Sequence, residues 1–295
     1  MLRTNRLSIL TLTTLATLTA WQSVVAEETC ADAKPGRLAM QVYTFNRYTL
    51  FEALDKCKEL GIKYIELYPG QRLSPENKSV AFDHNAPLKY RQIVKKRLAE
   101  LGMKAVCYGV VGLSRNEANN RKVFEFAKDM GIETINSEPP INALPAIDKL
   151  AQEYGINVGI HNHPKRPKHK AYKWWDPDYV LKAVAGCSKR IGSCADTGHW
   201  MRSDVDPLEA VKKLRGRIVS SHFKDLNKMG RPGEHDVPWG TGKGNVRGLL
   251  EELKKQGYTG VFSIEYEHNW TSNMPELAKC VAWFNKTTAE LYGSK

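Results

Sequence analysis

Short apolar runs alternate with longer amphipathic stretches along almost the whole chain. The runs at 38–43, 63–67, 104–110, 133–137, 156–160, 190–195, 217–223 and 260–266 have the length and character of buried strands. Between and after them, 49–60, 86–101, 116–130, 144–154, 176–185, 206–214, 246–256 and 275–292 carry helical spacing. Gly61, Gly102, Gly131, Gly155, Gly186 and Gly257 stand just past helical stretches and shortly before the next strand. That is where a helix ends in a left-handed turn. Eight such alternations over about 250 residues predict an α/β fold, a single closed (β/α)8 barrel. An open doubly wound sheet fits less well, because no GxGxxG follows the first strand and there is no P-loop. No linker-like or low-complexity stretch divides the chain, so 27–295 is read as one domain.

The start of the chain breaks the pattern. Arg3 and Arg6 precede an uncharged run rich in Leu, Thr and Ala, and Val24-Val25-Ala26 offers small residues for cleavage. Residues 1–26 therefore read as a secretory signal peptide. No later run is long and apolar enough to span a membrane. The expected product is exported and soluble, periplasmic or extracellular. Cys30 has no lipobox before it, which argues against a lipid anchor. The six cysteines are irregularly spaced without a CxxC, and several fall in apolar patterns where a free thiol behaves as a small hydrophobe. A disulfide framework is not expected, although a Cys187–Cys194 pair stays open.

Lys and Arg number 44 against 32 Asp and Glu, a net charge of +12. A basic surface suits anionic sugars, phosphates, nucleic acid or a membrane surface. Its densest part is the loop 164–175, where Lys165, Arg166, Lys168, Lys170 and Lys173 mix with Tyr172, Trp174 and Trp175. This loop reads as a solvated lid with its tryptophans packed on the barrel, or as a sugar contact.

Three strands end abruptly in chemistry: Cys194-Ala195-Asp196-Thr197-Gly198-His199, Ser221-His222-Phe223-Lys224-Asp225 and Ser263-Ile264-Glu265-Tyr266-Glu267. A charge buried at such an end needs a partner. Three in succession suggest one shared partner, and a divalent cation held by oxygen and nitrogen fits best. On a barrel, every polar residue at the C-terminal end of a strand faces one mouth. The set is Gln41, Glu66, Glu138, His161, His163, Asp196, His199, His222, Lys224, Glu265 and Glu267. The longest loops, 68–85, 161–175 and 224–245, rise from that same end.

The Asp-Thr-Gly-His run from Asp196, the His-Phe-Lys-Asp run from His222 and Ile264-Glu265 resemble the xylose isomerase-like TIM barrels, over nearly all of 27–295. That superfamily includes sugar epimerases, sugar phosphate isomerases, inosose dehydratase and endonuclease IV. In the epimerase branch, glutamates ending strands five and eight bind the metal with the strand-six Asp and strand-seven His, and both move the proton. Asp196, His222 and Glu265 match that pattern. At strand five, Gly159-Ile160-His161-Asn162-His163 puts His161 where the epimerases have Glu. The resemblance therefore implies Glu138, Asp196, His222 and Glu265 as metal ligands, with Glu267 as the alternative to Glu265, since the two share a strand face. His161 or His163 becomes the catalytic imidazole, and His199 a third candidate. The His-rich fifth strand is more similar to the inosose dehydratase branch and related lyases of 3-keto sugars.

The expected cofactor is one divalent metal, Mn²⁺, Mg²⁺, Co²⁺ or Zn²⁺. As a Lewis acid it would stabilise the enediolate left when a ketose loses an α-proton, and a His near neutral pKa suits the base. Reprotonation elsewhere gives isomerisation or epimerisation, and loss of a β-substituent gives elimination. Lys224 is placed at the oxyanion, or else in an ion pair with Asp225 or Glu265. Gln41, Glu66 and Glu267 are expected at the substrate. Asp236-Val237-Pro238-Trp239-Gly240-Thr241-Gly242 resembles the family's Val-Pro-x-Gly-x-Gly loop, with Trp239 stacking on a sugar. The leading function is a metal-dependent isomerase, epimerase or carbon–oxygen lyase acting on a keto sugar or 3-keto glycoside. The alternatives are an endonuclease IV-like nuclease, which would bring more His and Glu ligands, and a non-catalytic sugar-binding barrel. The expected partner is a small sugar, not nucleic acid or a membrane, and a homo-oligomer is compatible with the sequence.

Overall fold

Eight parallel strands close on themselves in a computed structural model that describes residues 36–293. They are β1 (Arg37–Gln41), β2 (Tyr64–Leu67), β3 (Lys104–Tyr108), β4 (Thr134–Ser137), β5 (Asn157–His161), β6 (Ile191–Asp196), β7 (Ile218–Phe223) and β8 (Val261–Ile264). Each pairs with its sequence neighbours, and β1 pairs with β8, Arg37 facing Val261 and Met40 facing Ile264. This is the expected (β/α)8 barrel. The reading of 1–26 as a signal peptide lies outside the described residues.

The helices are α1 (Leu50–Glu59), α2 (Leu88–Glu100), α3 (Glu117–Met130), α4 (Leu144–Tyr154), α5 (Pro177–Ala183), α6 (Thr197–Arg202), α7 (Pro207–Lys213), α8 (Val246–Lys255) and α9 (Met274–Tyr292). Their apolar faces pack on the strands in one large core that runs from Met40 and Leu54 through Phe126 and Ile160 to Leu250 and Phe284. Gly131 and Gly155 close α3 and α4 at φ 74° and 70°, the left-handed turn that a side chain would strain. α1 begins in a capping box, the Thr49 hydroxyl accepting from Glu52 N while the Glu52 carboxylate accepts from Thr49 N. Among the described residues, no helix is long and apolar enough to cross a membrane. Cys57, Cys107, Cys187, Cys194 and Cys280 are free, so Cys187 and Cys194 are not paired.

Two elements were absent from the sequence pattern. An antiparallel hairpin of Gln71–Arg72 with Ala81–Phe82 stiffens the long loop after β2. The Asp-Thr-Gly-His run does not continue as strand or loop: Asp196 ends β6 and at once caps α6, its Oδ1 accepting from His199 N at 2.6 Å. One short side chain thereby ends a strand and starts a helix, while its second oxygen lies 2.9 Å from Lys224 Nζ.

Candidate metal centre and active-site cavity

Below the mouth of the barrel lies a polar layer where hydrocarbon would be expected. Glu66, on β2, is fully buried. Its Oε1 accepts from Asn136 Nδ2 at 2.7 Å and lies 2.8 Å from His222 Nε2, and its Oε2 accepts from Ser263 at 2.5 Å. Ser220 donates to the other side of Asn136 at 2.6 Å. Gly159 makes room for this layer, because a Cβ there would stand 2.5 Å from Asn136 Oδ1 and 2.9 Å from Ser220 Oγ. Glu66 therefore sits under His222 rather than at the substrate position expected of it. A carboxylate on one ring nitrogen fixes the imidazole's orientation and directs the other nitrogen upward.

That other nitrogen, His222 Nδ1, is 3.0 Å from Glu265 Oε2 and 3.8 Å from Asp196 Oδ2. His161 Nε2 is 3.5 Å from the same Asp196 oxygen. One donor atom from each of His161, Asp196, His222 and Glu265 falls within 4.8 Å of all the others, and all four residues are buried. His161 Nδ1 and Nε2, Asp196 Oδ2 and His222 Nδ1 have no hydrogen-bond partner. Buried polar atoms left unpaired are costly, and three of these, His161 Nε2, Asp196 Oδ2 and His222 Nδ1, lie close enough together to fit a cation they would share. Two imidazoles and two carboxylates are the donor set of a borderline divalent ion such as Mn²⁺, Co²⁺ or Zn²⁺.

Lys224, fully buried, brings the only lysine charge to this cluster among the described residues. Its Nζ lies 2.7 Å from Glu265 Oε2, 2.9 Å from Asp196 Oδ2, and donates to Glu267 Oε2 at 2.9 Å. Burial opposes the ammonium, but Asp196, Glu265 and Glu267 outweigh it and hold its pKa well above the ordinary value. Burial would likewise raise Glu265, whereas Lys224 and His222 keep it well below the usual carboxylate range. For His161, burial pushes down while Asp196 and Glu138 push up, and the result is about 9. A proton and a metal ion compete for that nitrogen. Of the two partners expected for Lys224, Asp225 is engaged elsewhere: its carboxylate accepts from Gly240 N, Gly242 N and Gly244 N.

Glu138 groups with His161 and His163 rather than with the other three expected ligands. Its Oε1 lies 2.6 Å from His163 Nδ1 and accepts from Tyr172 OH at 2.6 Å and His163 N at 3.2 Å. Tyr172 comes from the basic loop, whose other aromatics turn back toward the protein: Trp174 is buried beside Tyr179, and Lys165 lies over Trp175. Glu267 is held by Lys224 and by Arg202 Nη1 at 2.9 Å, and it groups with His199 and Glu265. Arg202, from α6, also donates to His199 Nδ1 at 2.9 Å. Burial pushes His199 well down, Asp196 opposing and Lys224 and Arg202 adding to the effect. Neither Tyr172 nor Arg202 stood out in the sequence, since their roles depend on a loop and a helix whose paths no local pattern fixes.

A cavity of about 430 Å³ opens above these groups, lined by Gln41, Tyr43, Tyr68, His163, His199, Glu265 and Glu267 among others. The rings of His163 and His199 stack on each other at its wall, with centroids 5.2 Å apart. Gln41 donates to Gly109 O at 2.7 Å at its wall. Trp239, expected to stack on a sugar, is instead 2% exposed and packs against Phe223 and Phe284. Asp225 explains the difference: by gathering three amides of the following loop it folds Trp239 inward.

The sequence profile described as "Xylose isomerase-like TIM barrel" matches residues 54–287. An inosose isomerase of Halalkalibacterium halodurans is 24% identical over 254 residues, 76% of this chain and 85% of that protein. An uncharacterized protein of Methanocaldococcus jannaschii is 34% identical over 128 residues, a match that spans only 42% of this chain and 41% of that relative. Among solved structures, an uncharacterized protein from Parabacteroides distasonis superposes with a TM-score of 0.68 at 33% identity, covering 85% of this chain and 98% of the other.

Proposed function

The chain belongs to the xylose isomerase-like TIM barrel family, and from that premise we propose that it is a divalent-metal-dependent enzyme that moves a proton beside the carbonyl of a keto sugar or 3-keto glycoside. One observation carries the reading: four buried donors, from His161, Asp196, His222 and Glu265, converge at the floor of a cavity walled by two further imidazoles. In this reading His161 takes the ligand position that the sequence alone offered to Glu138. The similarity to an inosose isomerase supports a cyclic polyol or sugar ketone as substrate class.

A cation bound there supplies Lewis acidity, drawing electron density from a substrate carbonyl. The protein's own groups divide the proton work by tautomer. Glu138 accepts from His163 Nδ1–H, which leaves the lone pair on Nε2 as the base for the α-proton. Arg202 donates to His199 Nδ1, which places the His199 proton on Nε2 as a hydrogen-bond donor to a substrate oxygen. Carbon–hydrogen cleavage moves the electron pair into the substrate's carbonyl oxygen. Return of a proton to another face or carbon completes an isomerisation or epimerisation. Departure of a β-oxygen, hydrogen-bonded by His199 Nε2–H and protonated by the proton that His163 took up, completes an elimination. Glu138 and Arg202 act through the histidines they orient.

Incubating the purified protein with a 3-keto glycoside in D₂O, with and without added Mn²⁺ or Co²⁺, tests the proposal. Metal-dependent deuterium incorporation at the carbon beside the ketone is expected. No incorporation and no release of the aglycone with either metal would overturn it.

A further inference from the structure

A second cavity, of about 520 Å³, lies beside the first, and Tyr68 lines both. The two differ in character. The second is walled by Asn46, Arg47, Tyr48, Arg72 and Lys78, with Glu52 as the one acid in its lining. The carboxylate of Glu52 is already engaged, accepting from Thr49 N at 2.8 Å and Thr49 Oγ1 at 2.7 Å. Arg47, Arg72 and Lys78 make no ion pair among the described residues, in a chain where many exposed Arg and Lys do. Arg72 is steadied only by donating to Lys78 O at 3.4 Å. The antiparallel hairpin that carries Arg72 keeps it at the cavity wall. Where the cavities meet, Tyr68, which lines both, stands edge-on to Tyr43 of the first cavity at 5.2 Å.

Three unpaired cations around a concave, polar space concentrate positive potential there. Guanidinium groups match the planar oxygens of a carboxylate or the oxygens of a sulfate better than they match a neutral hydroxyl. Aromatic rings suit the apolar sides of sugar rings, and Tyr68 stands where a chain of two sugars would cross from one cavity to the other. We propose that the second cavity is a subsite for an anionic sugar unit, a uronate or a sulfated sugar, linked to the unit that reacts in the first cavity. The proposal rests on the reading of the first cavity as a sugar site, and it adds that the substrate is extended and acidic.

The test is calorimetric binding of cellobiose, cellobiouronic acid and sulfated cellobiose to the full chain at low and at high ionic strength. The same titrations are run on Arg47→Gln/Arg72→Gln, whose altered side chains are exposed and take no part in the first cavity. One or both anionic ligands are expected to bind about tenfold tighter than cellobiose, the size reached by a few exposed ion pairs acting together. That advantage should shrink with salt and vanish in the double variant, with cellobiose binding unchanged. Equal affinity for neutral and anionic ligands would overturn the proposal, as would an advantage that survives both substitutions. Deuterium exchange into a 3-keto monosaccharide, which does not reach the second cavity, separates the two readings. If exchange is absent while the anionic preference holds, the catalytic reading falls and the subsite stands.

Discussion

The two halves of the barrel do different work. The ends of β5, β6, β7 and the residue after β8 supply His161, Asp196, His222 and Glu265, every donor of the proposed metal centre. The half formed by β1 to β4 supplies none of these. It gives the wall and the supports instead: Gln41, Tyr43 and Tyr68 at the cavity, Glu66 and Asn136 beneath His222, and Glu138 behind His163. One half thus holds the donors, and the other holds orientation and shape. The division also predicts a gradient of effects.

The largest effect should come from the donor half. Asp196→Ala should abolish cation binding and lower turnover by about three orders of magnitude or more, since it removes an interaction that supplies several kcal/mol at the transition state. Isothermal titration with Mn²⁺ and a deuterium-exchange rate would measure both. Lys224→Met tests whether the ammonium holds the metal-free cluster together. Three carboxylates would lose their buried counter-charge, and chemical denaturation of metal-free protein should show a loss of about 3–5 kcal/mol, partly restored by added Mn²⁺. Equal stability with and without Lys224 would mean the carboxylates are protonated or hydrated instead.

Two imidazoles of the same half, His163 after β5 and His199 on α6, stand outside the donor set. His163→Gln and His199→Gln should each reduce deuterium exchange or product formation by about 10²- to 10⁴-fold with metal affinity retained. Loss of the metal in either variant would add that residue to the donor set. In the supporting half, Glu66→Gln should weaken metal binding by about 10- to 100-fold, the range for a group that orients a ligand. The smallest effect belongs to the scaffold of that half. Thr49→Ala removes a cap of α1 and should cost about 1 kcal/mol in thermal or urea unfolding, with the site unchanged. The side-chain and then backbone hydrogen bonds from Thr49 hold the Glu52 carboxyl below its ordinary pKa. Its contribution is therefore present at pH above the ordinary glutamate value and fades as pH falls through the lowered one.

The same contrast explains what the sequence disclosed. Alternating runs and the glycines after helices located the eight strands, because strand burial and helix termination are local demands. Asp196, His222 and Glu265 were legible for the same reason: each interrupts an apolar run at a strand end. Their supports were not. Glu66 and His222 are 156 positions apart and meet only because the barrel closes. Glu66 reads like any strand-end carboxylate, yet closure turns it into the polar layer below. His161 stood out as a departure from the family's pattern, but only the converging, unpaired nitrogens suggest it as a ligand. Trp239 looked like a sugar platform, and three glycine amides gathered by Asp225 direct it into the core. α6 was hidden because Asp196 serves at once as strand end and helix cap.

The central claim is that one cation is shared by His161, Asp196, His222 and Glu265. Titration of Co²⁺ into metal-stripped protein, followed by the visible ligand-field bands, tests it most directly. One equivalent should bind, binding should be lost in His161→Ala and in Asp196→Ala, and Glu138→Gln should leave it essentially intact. Binding that survives His161→Ala and disappears in Glu138→Gln would contradict the account.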